Sequence, residues 1–138
     1  MKNKSTYNIF LDDVREPDWV TLYKNDPTYN KLKWIVVRSH DEFINYVSEN
    51  GMPKLASFDH DLADEHYQVT VAAIRNGFDI SKDFEEKTGY DSVKWLCDYA
   101  LDKNISLPEM RFHTANYIGF KNMSTYYKNF IKHYPELK

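Results

Sequence analysis

Two short clusters, Asp12-Asp13 and Asp59-His60-Asp61, bring together side chains that can bind metal and move protons. Carboxylates drawn close repel one another unless a cation or a proton intervenes. A set of hard oxygen donors suits Mg²⁺ or Mn²⁺, ions that keep several waters and bridge to phosphate. Asp12, Asp13, Asp59 and Asp61 are therefore the expected metal ligands. Any one of them could merely cap a helix or close a turn, but capping does not explain a tandem pair together with an Asp-His-Asp triplet. His60 and His113, which titrate near neutrality, are the expected acid and base on a phosphodiester, with Asp59 completing the catalytic set. The plain alternative for each is a histidine satisfied by a carbonyl or a neighbouring Asp.

Arg15 and Arg38 carry forked donors that match phosphate oxygens, although a lone Arg more often makes a surface ion pair. Asn116, Gly119 and Asn122 fall between the fourth expected strand and the last helix, where backbone N–H groups at a helix start favour an anion. Asn116 and Asn122 join Arg15 and Arg38 as the expected substrate contacts, with a turn or cap as the alternative for Asn116. His40, His66 and His133 sit in surface contexts and receive no role.

The elements that must position these groups follow from the apolar pattern. Tyr7 to Leu11 and Trp34 to Val37 are short buried strands, ending at Asp12 and Arg38. Leu55 to Phe58 is a third strand that runs into Asp59, and Met110 to Phe112 is a fourth that runs into His113. Ser39-His40-Asp41-Glu42 has capping-box spacing, so a helix should follow strand two and stop at Gly51. Val93, Leu96, Cys97, Ala100 and Leu101 mark the core stripe of another helix, with Gly89 and Asp91 ahead of it as a start, and Met123 to Tyr134 mark a final one. Strands alternating with helices imply a parallel sheet with right-handed crossovers, and ligands of such sheets bind beyond the strands' carboxyl ends. Pro17 to Lys31 shows no clear pattern. About 25 residues after Leu62 also lack a period, a length suited to a lid or a partner surface.

The bulk properties narrow the class. A chain of 138 residues is one domain's worth, and 42% hydrophobic with 28% charged residues is globular composition. A net charge of −3 gives no basic field for duplex nucleic acid. One cysteine, Cys97, permits no internal disulfide, and Ile9 to Leu11 is too short for a signal-peptide core, so no membrane span and a cytoplasmic location are expected. No P-loop or Rossmann glycine pattern occurs.

Four segments together carry a resemblance: Leu11-Asp12-Asp13-Val14-Arg15-Glu16-Pro17, Ser57-Phe58-Asp59-His60-Asp61-Leu62, Thr88-Gly89-Tyr90-Asp91, and His113 to Gly119 with Asn122-Met123. In this order and spacing the chain resembles the receiver-derived domains proposed to process cyclic phosphates. The resemblance implies one receiver-like domain over residues 1–138, with an insertion at about 63–88. Its fold would be α/β, a flavodoxin-type doubly wound parallel sheet of four to five strands with flanking helices. It also implies that Asp12, Asp13 and Asp59 match the acidic pocket of response regulators. Receivers carry a Thr or Ser after the fourth strand and a Lys after the last, whereas here His113 and Asn116 follow strand four. That departure favours a hydrolase over phosphorelay.

The expected activity is therefore hydrolytic opening of a cyclic phosphate or cyclic nucleotide, a metal-assisted phosphodiesterase reaction with a histidine pair. Trp19, Tyr67, Phe78 and Tyr90 would be available to stack a base. The alternatives are a non-catalytic module that binds or sequesters a nucleotide, and a phosphoacceptor receiver using Asp59. Self-association into a homo-oligomer is compatible with any of the three. On this reading, His113→Ala should abolish turnover with little loss of fold.

Overall fold

The structure is a computed structural model that describes residues 7–62 and 87–137. Four short strands, β1 (Asn8–Leu11), β2 (Ile35–Val37), β3 (Leu55–Phe58) and β4 (Glu109–Phe112), form its sheet among these residues. The order is β2-β1-β3-β4 and every pairing is parallel, with Leu11 opposite Val37 on one side and Phe58 on the other. This is the receiver-like, flavodoxin-type α/β arrangement, with helices on both faces.

Strand alternation sorts the side chains. Ile9, Leu11, Val37, Ala56 and Phe58 enter the main core, which α3 (His40–Asn50), α4 (Gly89–Lys103) and α5 (Tyr117–His133) cover through residues such as Phe43, Leu96 and Met123. Each large apolar side chain buried in this way contributes about 1.5–3 kcal/mol. Phe10 faces the other way and packs with Val20 of α1 (Pro17–Lys24) and Tyr29 of α2 (Thr28–Lys31). Ser57 points to that same side, the only polar residue within the four buried positions of β3.

Local chemistry sets the helix ends. Thr88 and Asp91 exchange both bonds of a capping box at the start of α4. At α3 only half of the expected box forms: the Ser39 hydroxyl accepts the Glu42 amide, while the Glu42 carboxylate takes the Arg38 amide instead. Gly51 ends α3 at φ 89, a left-handed backbone that favours glycine. The unpatterned Pro17 to Lys31 segment holds two helices, the first opened by Pro17 and closed by Asn25 at φ 54. They are too short to display a period. Leu101, expected in the core stripe of α4, is 37% exposed because the helix is leaving the core by its last turn. Of the expected insertion, residues 63–86 lie outside the described residues. No helix among the described residues is long and apolar enough to cross a membrane.

The chain runs from β1 to β2 in one direction across the sheet, then returns past β1 to place β3 on its other side. The carboxyl ends of β1 and β3 therefore flank the switch point, where the two crossovers part and leave a crevice. Asp12, Asp59 and His113 continue the sheet by one residue each: their amides donate to Val37 O (3.1 Å), Leu11 O (2.9 Å) and Phe58 O (3.0 Å).

Candidate functional site

Asp12, Asp13 and Asp59 meet at the switch point, with one carboxylate oxygen from each lying within 4.8 Å of the others. Asp12 and Asp59 are buried and Asp13 is half-buried. Burial and the neighbouring Asp12 charge push the Asp59 carboxyl up to about 8, against the pull of Arg15 and the Thr114 hydroxyl. Burial would raise Asp12 as well, but the His113 ring and the amides of Arg15 and Val14, at 2.9 and 3.0 Å from Oδ1, hold it below the usual range. One of the two packed carboxyls thus keeps its charge and the other tends to take the proton, as like charges at close quarters require. An all-oxygen set under this strain suits a divalent cation, which would replace that proton.

His113 is buried at the end of β4, its ring stacked on Phe10 with centroids 4.3 Å apart. Nε2 meets Asp12 Oδ2 at 3.1 Å and Nδ1 meets Ser57 Oγ at 2.7 Å, while Ser57 Oγ also bonds Tyr29 Oη at 2.6 Å. Burial drives the imidazole below its ordinary pKa despite the Asp12 carboxylate, so the ring is neutral at pH 7. Its backbone carbonyl accepts the Tyr23 hydroxyl at 2.8 Å.

His60 occupies the opposite side of the sheet edge. Its ring is fully buried against Gly119 of α5, and Nδ1 lies 2.9 Å from Asp61 Oδ1. Asn116 donates to that same Asp61 oxygen at 3.2 Å. Nε2 of His60 is buried without a hydrogen-bond partner among the described residues. A buried nitrogen left in this state costs free energy unless a ligand or water completes it.

The sequence pattern of the cyclic-phosphate processing receiver domain matches residues 7–129. The chain belongs to this family. No curated protein and no solved structure matches it.

In this receiver domain the two histidines read from the sequence as acid and base pack on different sides: His113 on the α1–α2 side and His60 on α5. The four expected carboxylates divide as well, three joining at the switch point and Asp61 turning to His60 and Asn116. Arg15 does stand at the pocket, with Nη1 3.7 Å from Asp12 Oδ2 and 2.6 Å from Tyr23 Oη. Arg38, read as a phosphate clamp, holds the chain itself: Nη1 donates to the carbonyls of Arg15 (2.7 Å) and Asp12 (3.2 Å), and Nη2 pairs with Glu16.

Asn116 caps α5, its Oδ1 accepting the Gly119 amide at 2.9 Å, so that amide donor is already committed. Asn122 lies within α5 and not ahead of it, because the helix begins at Tyr117. His40 is buried, bonded to Ser92 Oγ at 2.8 Å across the α3–α4 contact, while His133 is exposed and His66 lies outside the described residues. Among the proposed stacking rings, Trp19 is exposed on α1 and Tyr90 packs edge-on against Tyr126; Tyr67 and Phe78 lie outside the described residues.

Four further residues complete the site without a role in the sequence reading. Thr114 follows His113 directly and is buried, its hydroxyl accepting the Asn116 amide at 3.1 Å and pulling the Asp59 carboxyl down, so the fourth strand does offer the hydroxyl that receivers carry there. Its place beside a histidine masks it in the sequence. Ser57 stands as a lone polar residue in an apolar strand, a pattern that signals a buried partner. Tyr23 and Tyr29 give no signal among 11 tyrosines in a segment without a period.

Proposed function

We propose that this receiver domain hydrolyses a cyclic phosphate or cyclic nucleotide, opening the ring to a linear phosphate ester. The observation that carries the reading is the convergence of Asp12, Asp13 and Asp59 at the carboxyl ends of β1 and β3. A divalent cation held by these three would supply positive charge against the phosphoryl oxygens.

The chain's own groups account for the rest. Arg15, about a quarter exposed at the pocket, has guanidinium donors beyond Nη1 to offer to phosphate. Asp61 accepts Nδ1–H of His60 and so leaves a lone pair on Nε2, a base for the attacking water. Water adds at phosphorus, one ring P–O bond breaks, and the freed oxygen takes up a proton, so water is the only co-reactant. His113, with both nitrogens engaged, serves through Asp12. Incubation with 2′,3′-cyclic and 3′,5′-cyclic mononucleotides and cyclic dinucleotides, with Mg²⁺ or Mn²⁺, should yield linear products. Ligand that binds and returns intact would replace this reading with the sequestering module.

A second reading, phosphate acceptance on Asp59, draws support from the Thr114 hydroxyl beside it. Incubation with acetyl phosphate distinguishes it: a phosphoryl adduct lost in Asp59→Asn belongs to that reading, and an unmodified chain to hydrolysis.

A further inference from the structure

We propose that Ser57 and Tyr29 are positioning residues, links in a buried hydrogen-bond chain that anchors the His113 ring through Nδ1 and thereby aims Asp12 at the cation site. The inference rests on the cation reading above for its purpose, though the geometry of the chain stands alone. Four elements supply one member each: Tyr29 from α2, Ser57 from β3, His113 from the end of β4 and Asp12 from the end of β1. The contacts are 2.6, 2.7 and 3.1 Å in sequence, and no member is more than 3% exposed.

Donor counting gives the chain a direction. An ionised Asp12 can only accept, so His113 Nε2 must carry the hydrogen. A neutral imidazole then has a lone pair on Nδ1, which among the described residues the Ser57 hydroxyl alone is placed to fill. With its proton spent on His113, Ser57 accepts from Tyr29 Oη, and there the chain ends, with the Tyr29 ring stacked flat on Trp34 at 5.4 Å between centroids. Removing the Ser57 hydroxyl would leave the Nδ1 lone pair buried without a donor, and the ring would lose one of its two hydrogen-bonded anchors and hold Asp12 less firmly through Nε2–H. Outer hydrogen bonds of this kind commonly change metal affinity by about 10- to 100-fold when removed. The phenol is one step further from Asp12, so its loss should weigh less.

Two readouts test the chain. Side-chain ¹⁵N NMR of metal-free protein reports the His113 tautomer, and Mn²⁺ titration followed by electron paramagnetic resonance reports the cation site. The wild type should show the Nε2–H tautomer. Ser57→Ala should keep that tautomer but shift the Nδ1 signal as its hydrogen bond is lost, and should bind Mn²⁺ about 10-fold more weakly; Ser57→Thr, which keeps the hydroxyl, should restore both the signal and the affinity. Tyr29→Phe, which keeps the ring, should shift the His113 signals and weaken Mn²⁺ by about threefold, a smaller loss than the outer-shell norm. An Nδ1–H tautomer or an imidazolium in the wild type overturns the proposal, as does a folded Ser57→Ala variant with unchanged ¹⁵N signals. Absence of Mn²⁺ binding in the wild type would sink the cation reading and, with it, the role assigned to the chain, while the tautomer result would still judge its geometry.

Discussion

Gly119 of α5 lies flat against the His60 ring: a Cβ added at this glycine would stand 2.5 Å from His60 Cγ and 2.7 Å from its Cβ. Since both sides of that contact are buried, neither can yield without moving the helix or the ring. Gly119→Ala should therefore cost about 1–3 kcal/mol of stability by overpacking. It should also lower cyclic-phosphate turnover far more than Mn²⁺ affinity, because His60 shifts while Asp12, Asp13 and Asp59 stay. Thermal melts, Mn²⁺ titration and kcat measured on the same variant check this; equal losses in all three would mean that the change is global.

Gly89 makes the tighter approach, since a Cβ at this position would stand only 1.7 Å from the Asp59 carbonyl oxygen. Backbone stands on both sides here, so Gly89→Ala should cost about 3 kcal/mol or more and push α4 away from the pocket. Urea unfolding is the measurement, with a lower midpoint expected and an unchanged midpoint as the contrary result.

Without a cation, the site should make stability depend on pH. Asp59 has its pKa raised to about 8 by burial and by Asp12, so the folded state holds a proton that the unfolded state releases near pH 4. More protons on the native state means that stability falls as pH rises from about 4 to 8. Asp12 and His113 are both lowered and act oppositely, losing stability as pH falls, but their effect is complete by about pH 6.5. Between pH 6.5 and 8 Asp59 therefore dominates among the three, lowering stability by up to about 2 kcal/mol. Melts in EDTA should show the decline, and Asp59→Asn or added Mg²⁺ should flatten it.

Arg38 and Arg15 should separate cleanly. Arg38 ties the β1–α1 turn through two carbonyls and Glu16, so Arg38→Ala should lower stability by about 1–2 kcal/mol. Arg15→Ala, at the pocket, should raise KM with a smaller change in the melting midpoint. Exchanged effects would return the phosphate-clamp role to Arg38.

His113→Ala, harmless to the fold on the sequence reading, should instead lose about 3 kcal/mol, since the ring is packed on Phe10 and bonded at both nitrogens. A denaturant midpoint equal to that of the wild type would count against this.

The residues alone reveal where strands end. Asp12, Asp59 and His113 are legible because a buried apolar run stopping at a polar residue marks where a strand leaves the sheet. The parallel order and the acidic pocket follow from that. The facing of each side chain does not, because it depends on pairing register: His60 and His113 look alike in sequence but extend strands with opposite parity. Arg38 departs from its expected role for a related reason, since only the folded turn from Asp12 to Glu16 presents the carbonyls that occupy it. The residues of α1 and α2 stay hidden because helices of eight and four residues carry too little pattern to detect.

Asp12, Asp59 and His113 each donate a ladder hydrogen bond, so their main chains are as stiff as the sheet itself. Side chains on such a scaffold hold their spacing without help from the substrate, and little ordering entropy is left to spend when a ligand arrives. Adaptation to ligands of different shape must then fall to groups outside the ladder, Arg15 and Asp61 foremost among those described.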